Sequence, residues 1–323
     1  MKILVTGGAG FIGSHLVDYY LKKGDEVWAI DDLSTGQRRN LPDHENLRFA
    51  LADVSQYPHL DEAVAWSDRI IHAAATVGML NVLAHPSQTF DNNLHTMDAL
   101  FTAIKKQKKK IRLLFLSSSG VYWHSPLEHG VLSEKTPIIV HPEYYNQEPY
   151  SLSKIAGEVK TLCLGEEEQL FCTVARIFNT IGVRQSGKYG MVVPRMIKQA
   201  IKNEPLTVFG DGKQTRSFVN VHDTVKALAQ LLETDGARGE IINVGHDREI
   251  AILELAELIK KSLNSKSEII FIPYREAYGM DFIDVPHRRP SLEKMKKVIG
   301  FVPEWTLEES IIEIAASLEA RKV

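Results

Sequence analysis

The amino-acid sequence predicts an α/β protein built on a doubly wound parallel sheet, with a smaller C-terminal α/β domain. Short apolar segments alternate with helical patterns through the first 180 residues. A glycine-rich turn joins the first apolar segment to the first helical pattern. Beyond residue 180, longer stretches rich in Gly, Pro and polar residues separate the patterns. Strands that alternate with helices are typical of a parallel sheet, because parallel neighbours need crossover connections.

The predicted strands of the first half are apolar segments of the length that buried strands have. They are residues 2–6, 26–30, 47–50, 69–73, 112–117 and 170–177. Helical patterns lie between them at residues 11–23, 94–104 and 151–164. We therefore expect helices on both faces of one parallel sheet.

The second half predicts a different organisation. Helical patterns occur at residues 194–202, 221–232, 252–263 and 307–318, with one strand at 240–244 and loops at 203–214 and 274–290. We expect residues 1–180 to form the first domain and residues 181–323 the second. Residues 221–244 are expected to return to the first domain.

The composition is that of an ordinary globular protein. The 323 residues are 44% hydrophobic and 24% charged, with a formal net charge of −3, which does not indicate nucleic-acid binding. The lysine-rich run at 105–110 is interpreted as the solvated end of a helix. Cys163 and Cys172 lack metal-site spacing, and no apolar stretch approaches the roughly 18 residues of a membrane span. We expect a cytoplasmic protein without a signal peptide, a metal site or a membrane partner.

The glycine-rich turn predicts a Rossmann-type dinucleotide-binding domain. Its glycines fit two spacings, GxxGxxG from Gly7 and GxGxxG from Gly8. In either spacing, missing Cβ atoms let the backbone approach a pyrophosphate that rests on the helix N-terminus. The alternative is a tight structural turn, which the strand–turn–helix context disfavours. The residues assigned to this loop are Gly7, Gly10, Phe11, Ile12 and Gly13.

Acidic and small residues follow the next strands, at the edge where a dinucleotide would lie. Asp31 and Asp32 end the second strand, and a carboxylate there accepts the ribose hydroxyls and repels a 2′-phosphate. This favours NAD over NADP, although Arg38 and Arg39 lie just beyond. Asp32 could instead cap the following turn. The remaining cofactor candidates are Asp53 and Val54 for the adenine, and Ala73, Ala74 and Ala75 for close backbone approach.

A tyrosine and a lysine provide the candidate catalytic pair. Tyr150 and Lys154 are spaced i, i+4 at the start of a helical pattern, so their side chains share one helix face. A tyrosine with a pKa of about 10 is a weak base, but a neighbouring ammonium favours its phenolate. The serines at 117–119 end a strand at the same edge, where one of them can share a substrate hydroxyl with Tyr150.

Together these motifs resemble the extended short-chain dehydrogenase/reductase family, in its nucleotide-sugar epimerase/dehydratase branch. The resemblance implies NAD as cofactor, a UDP-sugar as substrate and a homodimer. It implies Ser118 as the catalytic serine, beside Tyr150 and Lys154, and Asn92 as a further cofactor contact. The substrate residues that it implies are Ser118, Ser119, Asn179, Val193 in a nucleotide-enclosing loop at 189–195, Phe209 against the uracil, and Arg216 and Arg288 at the diphosphate.

The resemblance also bears on the reaction. The branch oxidises the sugar at C4, after which dehydratases use an Asp-Glu pair next to the catalytic hydroxyl residue. Decarboxylases usually carry a glutamate at the second of those two positions. Here Ser119 and Gly120 occupy them, which favours a UDP-sugar 4-epimerase. UDP-glucuronate decarboxylase, an NDP-sugar 4,6-dehydratase and a non-enzymatic NAD-sensing protein remain alternatives. Trp123 and His124 stand where the family usually has glycine, so Trp123 is expected to shape the sugar pocket, with a core-filling role as the alternative.

Overall fold

The computed structural model describes residues 1–127, 130–140, 148–187, 191–279 and 284–320. Its strands are β1 Lys2–Thr6, β2 Glu26–Asp31, β3 Leu47–Leu51, β4 Arg69–His72, β5 Arg112–Ser118, β6 Phe171–Ile177, β7 Thr180–Ile181, β8 Leu206–Phe209, β9 Thr215–Ser217, β10 Val219–Asn220, β11 Ile241–Val244, β12 Glu249–Ala251, β13 Ile269–Ile272 and β14 His287–Arg288. Its helices are α1 Phe11–Lys22, α2 Leu60–Trp66, α3 Met79–Ala84, α4 Pro86–Lys105, α5 Glu148–Glu167, α6 Val192–Lys202, α7 Val221–Glu233, α8 Ile252–Ser262, α9 Tyr274–Tyr278, α10 Glu293–Ile299 and α11 Leu307–Ala320.

A seven-stranded sheet forms the centre of the protein, with the strand order β11-β6-β5-β4-β1-β2-β3. Every neighbouring pair in it is parallel. The order reverses between β1 and β4, and ligands of such sheets bind outside the carboxyl ends of the strands near the reversal. The predicted parallel sheet with flanking helices is thus confirmed.

The side chains of β1 alternate between the two faces of the sheet, as a strand with period two requires. Ile3 and Val5 pack in a core with α1 and α7, whereas Leu4 packs in a second core with α2 and α4. This double burial explains why the central strands are almost entirely apolar.

Residues from the second half extend the central sheet. β11 lies beside β6, with Ile241 opposite Val174 and Val244 opposite Ile177. α7 packs on α1 and on β5. Residues 221–244 therefore add strand β11 to the central sheet and helix α7 to one of its faces, although the rest of this sheet comes from residues 1–180.

The rest of the second half has its own apolar core, formed by α6, α8 and α11 around β8 and β12. Small sheets of order β12-β9-β14 and β13-β8 lie in this part. The predicted loops at 203–214 and 274–290 contain β8, α9 and β14, because segments of two to five residues are too short to show a period. No helix within the described ranges is long and apolar enough to cross a membrane.

Candidate active site

A cleft of about 920 Å³ runs along the carboxyl edge of the sheet and beneath the second half of the chain. The glycine loop, the acids after β2 and β3, the alanines after β4, Ser118, Tyr150 and Lys154 line it. Asn179, Val193, Phe209, Arg216 and Arg288 line its other side. The structure therefore brings the residues assigned from sequence to one cleft.

The glycine loop is packed too tightly for side chains. Gly7 has a φ of +70°, and a Cβ on it would lie 2.7 Å from the backbone nitrogen of Ala74. A Cβ on Gly13 would lie 2.0 Å from the carbonyl oxygen of Gly7. Gly10 caps α1 without a side-chain hydrogen bond, and the first turn of α1 has no acidic residue. The first amides of α1 therefore remain available to an anion, which fits the pyrophosphate of a dinucleotide.

Asp31 lies at the ribose end of the cleft and is only 7% exposed. Its carboxylate accepts hydrogen bonds from the backbone nitrogens of Ala9 (2.9 Å) and Leu33 (2.8 Å). Burial raises the pKa of Asp31, and these amides oppose the rise. Each oxygen keeps a second lone pair for a ribose hydroxyl. Asp32 accepts from the nitrogen and hydroxyl of Ser34, so it also caps the following turn.

Arg38 and Arg39, which follow the acidic residues and could have favoured NADP, have hydrogen-bond partners outside the cleft. Arg38 donates to the Leu41 carbonyl (3.0 Å) and to the Asp43 carboxylate (2.8 Å). Arg39 donates to the side chain of Gln37 (2.6 Å). Neither arginine lines the cleft. The ribose end thus fits NAD.

Ser118, Tyr150 and Lys154 meet at the ends of β5 and α5. Ser118 lies beside Tyr150, and its side chain lowers the pKa of Tyr150, which partly offsets the rise that burial imposes on that pKa. The Lys154 ammonium lies 5.9 Å from the centre of the Tyr150 ring and donates to the Leu116 carbonyl (2.8 Å). Burial lowers the pKa of Lys154 to about 8, so the side chain is charged at neutral pH. A buried ammonium at this distance favours the phenolate.

The three serines at the end of β5 have different surroundings. Ser117 donates to the buried carboxylate of Glu158 (2.6 Å) and so points away from Tyr150. Ser118 accepts from the Gly120 amide (3.0 Å) at the start of a 3₁₀ turn, and it is the serine whose side chain lowers the pKa of Tyr150. Ser119 is buried beside it in the cleft wall. This arrangement supports Ser118 as the catalytic serine.

Gly120 borders the Tyr150 ring. A Cβ built on Gly120 would lie 3.3 Å from the hydroxyl oxygens of Ser118 and Ser151 and 3.5 Å from a ring carbon of Tyr150. Any side chain at position 120 would therefore project next to Ser118 and Tyr150. With glycine there, position 120 supplies no acid or base.

Two arginines make the opposite side of the cleft cationic. Arg216 forms an ion pair with Asp284 and also donates to the Val285 carbonyl (2.8 Å). The Arg288 guanidinium lies 4.7 Å from the centre of the Trp123 ring, and its Nη2 has no hydrogen-bond partner among the described residues. Burial, with the nearby Arg216 charge, lowers the pKa of Arg288 to about 9. Arg216 and Arg288 carry two positive charges against the single carboxylate of Asp284. This excess of positive charge suits the binding of a diphosphate.

Arg195 and Gln214 are cleft residues that the sequence assignments missed. The Arg195 guanidinium lies 3.7 Å from the centre of the Phe209 ring, and its Nε lacks a partner within the described ranges. Gln214 donates to the Phe209 carbonyl (2.9 Å), and its Oε1 likewise lacks a partner there. Arg195 ends the predicted enclosing loop at 189–195 and Gln214 ends the predicted loop at 203–214, but no spacing singles them out. Phe209 thus carries a cation on one face.

Asn92 and Asn93 occupy opposite environments on α4. Asn92, the asparagine assigned from sequence, is an exposed residue at the cleft rim. Asn93 is buried, accepts from the Thr76 amide (2.7 Å) and donates to the Ser153 hydroxyl (3.0 Å). The structure therefore favours Asn93 as the asparagine that organises this side of the cleft. Tyr189 and Gly190 of the predicted enclosing loop lie outside the described residues.

A family model described as the NAD dependent epimerase/dehydratase family matches residues 3–245. The chain belongs to this family and is an enzyme whose cofactor is NAD. It is 32% identical to a UDP-N-acetyl-alpha-D-glucosaminuronate decarboxylase of Bacillus cytotoxicus, over 97% of this chain and 96% of that protein.

Two solved structures show the same fold. The UDP-glucose 4-epimerase of Thermotoga maritima with UDP-glucose has a TM-score of 0.88 and 26% identity, with 100% of both chains covered. The UDP-glucuronic acid 4-epimerase of Bacillus cereus with UDP-glucuronic acid and NAD has a TM-score of 0.86 and 26% identity, over 99% of this chain and 100% of that one. The relatives thus include both epimerases and a decarboxylase.

Proposed function

We propose that the protein is a UDP-sugar 4-epimerase that oxidises and then re-reduces C4 of the sugar. Tyr150, as the phenolate, takes the proton of the C4 hydroxyl, while Ser118 hydrogen-bonds the same hydroxyl. Lys154 stabilises the phenolate by its charge. The chemistry that NAD supplies when bound is acceptance of the C4 hydride and its return to the other face of the 4-keto sugar.

The observation that carries this proposal is the glycine at position 120. The position borders Tyr150 and Ser118, where an extra acid or base would act on the keto sugar. Elimination of water needs such groups, whereas epimerisation requires only that the keto sugar rotate in the site and present its other face for reduction. A catalytic centre with Ser118, Tyr150 and Lys154 and no carboxylate at position 120 therefore favours epimerisation.

UDP-glucuronate decarboxylation is the second candidate. It is favoured by the 32% identity with a UDP-sugar acid decarboxylase over almost the whole chain. A 4-keto acid of this type loses CO₂ from C5, so both reactions share the first oxidation. The glutamate that decarboxylases of the family usually carry at position 120 is absent, and for this reason we place the candidate second.

The substrate side of the cleft is proposed to bind the nucleotide. We propose that Arg216 and Arg288 contact the diphosphate and that Phe209 with Arg195 contacts the uracil, and the position of all four in the cleft lining supports this. Asn179 donates to the Ser217 carbonyl (3.0 Å), which holds the end of β6 against β9 beside the proposed diphosphate site. We propose that residues 1–180 with 221–244 form the NAD-binding domain and the remainder the substrate domain.

We further propose that the protein acts in the cytoplasm as a homodimer. Both statements rest on composition and on the family resemblance. Light scattering after size-exclusion chromatography would give twice the chain mass for a dimer. A mass equal to one chain at micromolar concentration would contradict it.

Incubation with UDP-glucose, UDP-galactose, UDP-glucuronate and UDP-galacturonate tests the proposed activity. The expected result is conversion of at least one sugar to its C4 epimer, with no net change in NAD. Anion-exchange chromatography resolves the epimers, and headspace analysis detects CO₂. Release of CO₂ in proportion to substrate would establish decarboxylation instead, and a 4-keto-6-deoxy sugar would establish dehydration.

A further inference from the structure

A buried ion pair lies directly beneath the catalytic residues. Glu158 and Arg176 have side chains that are 4% and 3% exposed, respectively. Arg176 donates through Nε to one carboxylate oxygen (2.8 Å) and through Nη2 to the other (2.6 Å). This two-bond geometry fixes the guanidinium and the carboxylate in one plane. The sequence motifs left Glu158 unassigned and gave Arg176 no role of its own.

The ion pair connects the segments that hold the catalytic side chains. Glu158 follows Lys154 by one helical turn on α5, and its carboxylate accepts from the hydroxyl of Ser117, the residue before Ser118 (2.6 Å). Arg176 on β6 donates to the hydroxyl of Tyr122 (2.7 Å), at the end of the 3₁₀ turn that begins at Ser119. A displacement of the pair would therefore move β5, its turn and α5 relative to one another.

Besides its packing contacts, Glu158 contributes a negative charge that acts on Lys154. Tyr150 and Glu158 face Lys154 from its own helix, His72 faces it from β4, and the Leu116 carbonyl faces it from β5. Burial lowers the pKa of His72 to about 3, so His72 is neutral. Burial also lowers the pKa of Lys154, and the Glu158 carboxylate opposes that effect. A buried ion pair seldom adds net stability over an apolar pair of the same shape, so stability alone does not account for this pair.

We propose that Glu158 is a positioning residue of the active site. Together with Arg176 it fixes Ser118 and Lys154 relative to each other, and its carboxylate keeps Lys154 in the ammonium form. The inference rests on the proposed function in one respect: Tyr150 and Lys154 must carry the catalytic step. It applies equally to epimerisation and to the decarboxylase candidate, because both begin with oxidation at C4.

Glu158→Gln tests this role, because it removes the charge and keeps the shape. Purified variant and unaltered enzyme are compared with the UDP-sugar that the enzyme converts, across pH 6 to 10. We expect kcat at pH 7.5 to fall about tenfold or more, with KM within about threefold. We also expect the pH at which kcat declines on the basic side to move down by about one unit, because Lys154 loses its proton more easily.

Glu233→Gln is the control for a two-bond ion pair that lies away from the cleft and is partly exposed. Glu233 forms a two-bond ion pair with Arg69, with both distances at 3.0 Å, at the opposite edge of the sheet from the cleft. The decline of kcat on the basic side of the pH profile is called the basic limb here. We expect Glu233→Gln to leave both kcat and the position of the basic limb unchanged. A purely structural contribution of buried ion pairs would instead give Glu158→Gln a lower kcat without a shift of the limb, and that result would overturn the proposal.

Glu158→Asp keeps the test decisive if Glu158→Gln does not fold. The aspartate retains the negative charge on a side chain that is shorter by one methylene group. We therefore expect a lower kcat, with the basic limb near its position in the unaltered enzyme. A limb that moves down by about one unit in Glu158→Asp would overturn the proposal. Absence of turnover in the unaltered enzyme with any UDP-sugar would instead contradict the proposed function, so the two failures are distinguishable.

Discussion

Gly120 and Tyr150 lie so close that a Cβ on residue 120 would be in van der Waals contact with the tyrosine ring, 3.5 Å from one of its carbons. The same Cβ would be 3.3 Å from the Ser118 hydroxyl. The side chain at this position therefore faces the reacting part of the cleft. In this chain it is a hydrogen atom, so position 120 adds no acid or base to the proposed catalytic residues Ser118, Tyr150 and Lys154.

Gly120→Glu places a carboxylate beside the catalytic tyrosine. We expect epimerisation to fall at least tenfold, because an anion next to Tyr150 disfavours its phenolate and fills space that the turning sugar needs. Gly120→Ala is the control and is expected to retain activity within about threefold, since its contacts at 3.3 Å require only a small adjustment. Epimer formation measured by chromatography checks both. Full activity in Gly120→Glu would show that position 120 does not face the sugar.

The basic limb of the kcat profile should report Lys154. Because the pKa of Lys154 is lowered to about 8, the ammonium is present below that pH and is lost as the pH rises through it. Phenolate stabilisation is lost with it, so kcat should fall above about pH 8. Initial rates at saturating UDP-sugar between pH 6 and 10 check this, with circular dichroism to confirm folding. A kcat that stays constant to pH 10 would contradict the role of Lys154.

Arg288→Met should weaken binding of the substrate nucleotide. Arg288 lines the cleft beside Arg216, and its Nη2 has no hydrogen-bond partner among the described residues, so replacing Arg288 takes a cation from the proposed diphosphate site. We expect the Kd for UDP to rise by at least tenfold, or about 1.5 to 3 kcal/mol. Lys213→Met is the control, because Lys213 is a nearby cation whose side chain is 86% exposed. Calorimetric titration with UDP measures both, and equal affinities for the two variants would refute the assignment.

Asn93→Ala should destabilise the protein more than Asn92→Ala. Asn93 satisfies the Thr76 amide and the Ser153 hydroxyl in a buried position, and unpaired groups there cost about 1 to 3 kcal/mol. Asn92 is exposed, so its truncation should change the free energy of unfolding by less than about 0.5 kcal/mol. Urea denaturation followed by circular dichroism gives both values. The reverse order would restore Asn92 as the organising residue.

The elements that form the NAD side of the cleft follow from the sequence. β1 coincides with the predicted strand at 2–6, and the other central strands differ from their predictions by one residue at one end. These segments are buried on both faces, so their apolar runs are unambiguous. α4 begins eight residues before the predicted start, at Pro86, because its first turns are polar and a proline is accepted in the first turn.

The parts that the sequence did not show depend on tertiary contacts. A choice between Asn92 and Asn93 is a choice of helix face, and one residue turns the side chain by about 100°. The Glu158–Arg176 pair joins residues that are 18 positions apart on a helix and a strand, and neither has a periodic signal. Arg195 faces Phe209 only because α6 packs beside β8.

The most direct test of the central claim is the fate of the hydrogen at C4. A UDP-sugar deuterated at C4 is incubated with the enzyme in ordinary water until the epimers equilibrate, and both are examined by NMR and mass spectrometry. Transfer of hydride to NAD and back within one site predicts that the epimer keeps deuterium at C4. An epimer that carries a solvent hydrogen at C4 would contradict the account.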